Sequence, residues 1–337
     1  MLAHISDAIL AAELHRRLRL GLPGAGAIAS LETSDLASEW DRRGFRLEHA
    51  VWFGATDNRK DPFYTPGIQT GVLRHAARCC YLIGESALRF TADGAVELQY
   101  QPYGNYFQLC ADERFWCQPT VLERRGGGYG STGYSGYLLE DNVILSCWHG
   151  YALFEQERSF AVFGYAARRY CDRPLRLPAE QVIALCPQPL AQPEVDRRRD
   201  AASDVVLLEL ERPAPTGIDK HRVPHGRMSA GEPVYTLGFP CGLPMKLADG
   251  ARVLSVDRDA ALFRADLDTY DGNSGSPVFS ANDHRLLGIV LAAQQGAGDF
   301  EAVPSQGCYR SNRIDRHALG QVCLDVAVVA TLLAETE

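Results

Sequence analysis

The stretch Leu267-Asp268-Thr269-Tyr270-Asp271-Gly272-Asn273-Ser274-Gly275-Ser276-Pro277-Val278 decides the reading of this chain. A serine hydroxyl is a weak nucleophile at neutral pH. It becomes useful when a neighbouring base takes its proton and backbone N–H groups await an oxyanion. Gly272 and Gly275 bracket Asn273-Ser274 and let the backbone turn tightly. The N–H groups of Gly272 and Ser274 are then expected to face the same point as the Ser274 hydroxyl. A glycine-bracketed serine alone is weak evidence, so its meaning rests on a base and an acid elsewhere in the chain.

Two upstream segments supply them. In Ser135-Gly136-Tyr137-Leu138-Leu139-Glu140-Asp141-Asn142-Val143-Ile144-Leu145-Ser146-Cys147-Trp148-His149, two apolar runs flank an Asp-Asn turn. That is a hairpin pattern, and His149 follows its second strand. In Ala202-Ser203-Asp204-Val205-Val206-Leu207-Leu208-Glu209-Leu210-Glu211-Arg212-Pro213, Asp204 opens an apolar strand. The order His, Asp, Ser with these flanks resembles the trypsin-like (chymotrypsin-fold) serine peptidases. An α/β-hydrolase would place its acid and His after the Ser, and position 276 breaks its G-x-S-x-G pattern.

The resemblance covers residues 85–337. Gly231-Glu232-Pro233 through Gly238-Phe239-Pro240 resembles the strand and turn that follow the Asp strand, and Leu286-Leu287-Gly288-Ile289-Val290 the strand walling the substrate cleft. Asp112-Glu113-Arg114-Phe115 with Gln118-Pro119 resembles the lead-in of bacterial members. Asn273 and Ser276 point to the bacterial branch that includes the glutamyl-endopeptidase-like enzymes. The resemblance implies a mostly β, chymotrypsin-like double β-barrel. It implies His149 as general base, Asp204 as its orienting acid, Ser274 as nucleophile, and the Gly272 and Ser274 N–H groups as the oxyanion hole. Asp268, six residues before Ser274, would lie at the base of the primary pocket and favour Arg or Lys at the cleaved bond. Val290 would line the substrate site. Cys147, Trp148 and Gly150 depart from the family pattern around the His; the absence of a Cys after it removes a disulfide common in secreted members. Asn273 cannot form the ion pair that digestive enzymes make with a newly cut N-terminus.

Composition sets the outer limits. The 337 residues carry a formal charge of −8, which argues against an electrostatic nucleic-acid binder. No apolar run approaches the roughly 18 residues of a membrane-spanning helix. Met1-Leu2-Ala3-His4-Ile5-Ser6-Asp7 lacks the basic start of a signal peptide, so a cytoplasmic location and mostly free thiols are expected of the ten cysteines. With export by another route, Cys110, Cys117, Cys171, Cys186, Cys241 and Cys308 become disulfide candidates. No C-x-x-C pair exists, and neither a metal nor a cofactor is expected. The glycine-rich 126–133 reads as a flexible connection, since no Lys-Ser/Thr pair follows it.

Residues 1–84 read as a small helical region. Helices are expected over residues 2–20, over Ser34–Arg43 and over Thr70–Ile83, with a loop across 55–62. This region is either an adaptor or regulatory domain or a helical extension packed on the barrels. Leu88–Thr91 and Val96–Tyr100 form a hairpin across Asp93-Gly94, and Phe160–Tyr165 another strand. Arg197-Arg198-Arg199 reads as a solvated loop, and 322–335 as a C-terminal helix. The expected partners are a protein or peptide substrate and a regulatory protein acting through residues 1–84. The alternative is a catalytically silent interaction protein on the same fold.

Overall fold

Short runs of β-branched and aromatic residues between Gly, Pro and Asp turns favour strands over helices, and strands dominate the computed structural model. It describes residues 59–102, 108–110, 119–120, 133–152, 157–168, 175–193, 203–219, 223–292, 300–311 and 320–334. The helices expected over 2–20 and 34–43, the glycine-rich loop up to residue 132 and Arg197–Arg199 lie outside the described residues, as does the lead-in up to residue 118.

In chain order the elements are β1 Arg59–Lys60, α1 Thr70–Arg78, β2 Cys79–Gly84, β3 Leu88–Phe90, β4 Ala95–Leu98, β5 Gln101–Pro102, β6 Pro119–Thr120, β7 Tyr134–Leu138 and β8 Val143–Ser146. Then come α2 Trp148–Ala152, β9 Ser159–Phe163, β10 Arg176–Pro178, β11 Val182–Ala184, β12 Val206–Glu209, β13 Pro233–Gly238, β14 Lys246–Asp257 and β15 Leu262–Ala265. The chain closes with β16 Pro277–Ser280, β17 Leu286–Ala292, β18 Phe300–Val303, β19 Cys308–Ser311, β20 Gln321–Asp325 and α3 Val326–Ala334.

Two antiparallel sheets result. The first runs β11-β9-β2-β7-β8-β12, and its ends approach each other where Leu185 bridges Leu210. The second runs β14-β13-β16-β17-β20-β15 and closes into a six-stranded barrel because β15 pairs back onto β14. β14 is long enough to serve two neighbours on one edge. Leu247 and Ala248 pair with β1, and residues from Val253 onward pair with β15. This is the mostly β, chymotrypsin-like double-barrel architecture expected from the sequence. The expected hairpin forms as β3 and β4, with Gly94 at φ +78° in its turn.

Two expected helices are shortened. The helix expected over Thr70–Ile83 stops at Arg78, and Cys79–Gly84 is a strand with all six residues buried. A short, wholly apolar run carries no periodicity that separates helix from strand; pairing on both sides with β7 and β9 decides it. β2, N-terminal to residue 85, thus lies within the first sheet. Likewise residues 322–325 belong to β20, paired with β15 and β17, and the C-terminal helix starts at Val326.

α1 wedges against the junction of the two barrels. Its His75 stacks on Phe279 of β16, ring centroids 4.1 Å apart, and its Nδ1 lies 2.7 Å from the Tyr137 hydroxyl of β7. The buried Arg78 donates to the Leu138 and Leu139 carbonyls. Gly71 faces His284, whose ring would lie 2.3 Å from an added Cβ, so only glycine permits this approach. Cys110 and Cys308 form a disulfide across 198 residues of sequence. Cys79, Cys80, Cys147, Cys186, Cys241 and Cys323 are free thiols, so the expectation of free thiols has one exception among the described residues. Among them, no helix is long and apolar enough to cross a membrane.

Burial, helped by the charge of Arg78 and by His284, lowers the His75 pKa to about 4; the Asp219 carboxylate opposes this. The folded state thus holds the proton less tightly than the unfolded chain. The stabilisation from neutral His75 is complete above the unfolded value near 6.5 and is lost as pH falls toward 4. Urea unfolding of His75→Gln across pH 4–7 should show a flatter dependence than the wild type. Parallel curves would contradict the assignment.

Candidate active site

β8 and β12 position His149 and Asp204. They pair with Val206 opposite Ser146. Asp204 stands two residues before that pair and His149 three residues after it, so the register brings them together. Asp204 Oδ1 accepts the His149 backbone N–H at 2.9 Å, and Oδ2 accepts Nδ1–H at 2.6 Å. An ionised carboxylate only accepts, so this contact puts the Nδ1 proton on the ring and leaves Nε2 as the basic nitrogen. The Asp204 side chain is 17% exposed and that of His149 43%.

Nε2 lies 3.8 Å from the sulfur of Cys147. Burial opposes charge on the ring, but Cys147 and the Asp204 carboxylate outweigh it and hold the His149 pKa above the usual histidine value. Cys147 was legible only as a departure from the family pattern. Its contact with the ring comes from the sharp turn between β8 and α2.

The serine sits in a turn that bonds to itself. Asn273 donates to the Tyr270 carbonyl through its backbone N–H at 2.9 Å and its side-chain amide at 3.2 Å. The Ser276 N–H donates to the Asn273 carbonyl at 2.8 Å, and the Ser276 hydroxyl to Asn273 Oδ1 at 3.3 Å. Reciprocal bonds of 2.8 Å, Gly275 N–H to Val290 O and Val290 N–H to Ser276 O, join the turn to β17. Ser135 of β7 ties it to the other barrel: its N–H donates to the Ser274 carbonyl at 2.9 Å and its hydroxyl to the Gly272 carbonyl at 2.7 Å. Sequence reasoning gave Ser135 no role, because nothing local marks it; only the packing of β7 on the turn does.

Gly272 and Gly275 have φ of +87° and +83°, where side chains are strained. Each is also crowded by backbone. A Cβ on Gly272 would meet the Phe239 carbonyl at 2.6 Å, and one on Gly275 the Ser135 carbonyl at 2.2 Å. Among the described residues, no backbone carbonyl accepts from the N–H of Gly272 or of Ser274. The Ser274 hydroxyl is partly exposed and donates to the Leu291 carbonyl at 3.3 Å.

Asp268 and Val290, the two residues expected to bind substrate, lie outside the Ser274 turn. Asp268 is buried, 3% exposed, in the segment from β15 to the turn. Val290 is 2% exposed, and its side chain joins the second barrel's core with Leu267, Val278 and Leu287. Strand alternation turns this side chain inward, while its backbone bonds to Gly275 and Ser276.

Residues 134–289 match the family model described as a trypsin-like peptidase domain. That span contains His149, Asp204 and Ser274. No curated protein matches the chain. Among solved structures, the Rv3671c protease of M. tuberculosis in its inactive form is similar at 13% identity, over 79% of this chain and 92% of that one, with a TM-score of 0.42. The serine endoprotease from Yersinia pestis is similar at 11% identity, over 79% of this chain and 65% of that one, with a TM-score of 0.43.

Gly272 and Gly250 separate backbone strain from crowding. Both have positive φ, but an added Cβ at Gly250 meets nothing within 4 Å. Gly250→Ala should cost about 1 kcal/mol and Gly272→Ala clearly more, within the roughly 1–3 kcal/mol of a strained site plus its clash. Equal losses in urea unfolding would contradict the crowded turn.

Proposed function

We propose that the domain is a serine endopeptidase that cleaves peptide bonds through an acyl-enzyme on Ser274. The observation that carries this reading is the two-point grip of Asp204 on His149, at 2.9 and 2.6 Å, within a trypsin-like peptidase domain. The grip fixes the tautomer a general base needs and stabilises the imidazolium once it has taken a proton.

In the proposed cycle the Ser274 hydroxyl leaves the Leu291 carbonyl and gives its proton to His149 Nε2 as the oxygen attacks a substrate carbonyl. The Gly272 and Ser274 N–H groups receive the oxyanion. His149 returns the proton to the leaving amine, and water then hydrolyses the ester by the same route in reverse. The contact of Cys147 with Nε2 means that the ring must also turn from the thiol toward Ser274. That contact gives the silent-scaffold alternative its one point of support, since in this geometry Nε2 faces sulfur rather than the serine oxygen.

Asp268 supports cleavage after Arg or Lys: a buried carboxylate offers a charge-assisted partner to a basic side chain. Placement in the glutamyl-endopeptidase-like branch rests on Asn273 and Ser276. Glutamate specificity itself is disfavoured, because Leu291 and Ala292 stand where glutamate-specific relatives carry a His. Asn273 supports control by residues 1–84 or a partner protein in place of a liberated amine.

A peptide library tests the reading. The wild type should cut, fastest after Arg or Lys. Ser274→Ala and His149→Ala should each lower kcat/KM by on the order of 10⁴ or more, and the double variant little further. Unchanged hydrolysis by Ser274→Ala would overturn the mechanism. Faster cutting after Glu or Leu would overturn the role of Asp268 alone.

A further inference from the structure

The first described residues, Arg59, Lys60 and Asp61, are strapped to the second barrel at three points. β1 pairs antiparallel with β14, Arg59 opposite Ala248 and Lys60 opposite Leu247. Lys60 Nζ reaches both carboxylate oxygens of Asp249, at 2.8 and 2.7 Å. Lys246, only 6% exposed, pairs with Asp61. A lysine held that far from water depends on its carboxylate partner, so Asp61 is anchored firmly.

The strap reaches the nucleophile turn through one ring. The Arg59 guanidinium lies over the ring of Tyr270, 5.3 Å from its centroid, a distance at which a cation is attracted to the π face. Tyr270 is 5% exposed and packs in a small core with Leu109, Cys241 and Leu243. Its carbonyl is the acceptor for both Asn273 donors, and Asn273 stands between the two proposed oxyanion donors. Asn273 is also the residue whose lack of charge excludes an ion pair with a new N-terminus. β1 is dispensable to the barrel itself, because β14 closes the ring through β15.

We propose that Arg59 is a positioning residue: docked on Tyr270, it holds the oxyanion turn in its productive shape. β1, strapped to the second barrel, is then the latch that bears on the turn. The inference rests on the serine peptidase reading, and its test separates the two. Arg59→Ala and Arg59→Lys should be compared with the full-length wild type in peptide hydrolysis and in hydrogen–deuterium exchange over 270–276.

Arg59→Ala should lower kcat at least about 10-fold with KM little changed, while Arg59→Lys, which keeps a cation over the ring, retains most of it. Exchange at the Asn273 amide should quicken in Arg59→Ala, with exchange in the β7 and β8 strands unchanged. Wild-type kcat and wild-type exchange in Arg59→Ala would overturn the latch while leaving the peptidase intact. An inactive wild type would overturn the peptidase reading, and the exchange comparison would still decide whether Arg59 holds the turn. A uniform rise in exchange across the domain would mark Arg59 as merely structural and also contradict the proposal.

Discussion

Ser135 holds the two barrels in register where it matters. The residue is buried, and its N–H, hydroxyl and carbonyl are all hydrogen-bonded. The hydroxyl donates to the Gly272 carbonyl and accepts from the Phe239 N–H at 3.1 Å; the carbonyl accepts the Ser146 hydroxyl at 2.6 Å. Removing one partner from such a buried set leaves the others unsatisfied, at roughly 1–3 kcal/mol each. The geometric consequence is larger than the energetic one. His149 and Asp204 come from the first barrel and Ser274 from the second, so their relative placement is only as good as this junction. Gly238 belongs to the same constraint: an added Cβ would strike the Ser276 hydroxyl at 1.9 Å and Asn273 Oδ1 at 2.5 Å.

Beneath the nucleophile turn lies a satellite core of Leu109, Cys241, Leu243 and Tyr270, with Phe300 against it. It is too small to order itself by burial alone. Two tethers converge on it from distant sequence: the Cys110–Cys308 disulfide, which fixes the β18–β19 hairpin beside Leu109, and the strap at Arg59. By loop entropy a cross-link of this span is worth about 5 kcal/mol at most, and measured values are usually nearer 2–4. The turn therefore owes its shape to long-range ties as well as to its own hydrogen bonds.

Much of this was legible before any coordinates. Glycine-bracketed Ser274, His149 after a hairpin and Asp204 before an apolar strand are local patterns, and local patterns survive in a single sequence. Their order selected the double barrel. What failed to show was of another kind. Cys79–Gly84 is apolar on both faces, so no period marked it as a strand. Val290 carried a family position but not its facing, which the pairing of β17 decides. Ser135 and Arg59 touch Gly272 and Tyr270 across more than a hundred residues of sequence, and no spacing rule reaches that far; Cys147 lies close to His149 in sequence, but only the backbone between them brings its sulfur to Nε2. The pairing of Cys110 with Cys308 lay open among six cysteines for the same reason.

The proposed cycle requires Ser274, activated by His149, to form a covalent bond to the substrate acyl group. Reaction of the folded full-length protein with a fluorophosphonate, followed by peptide mapping of the adduct, tests it most directly. One adduct per chain is expected, on Ser274, formed in the wild type and absent from His149→Ala. An adduct elsewhere, or equal labelling of His149→Ala, would contradict it.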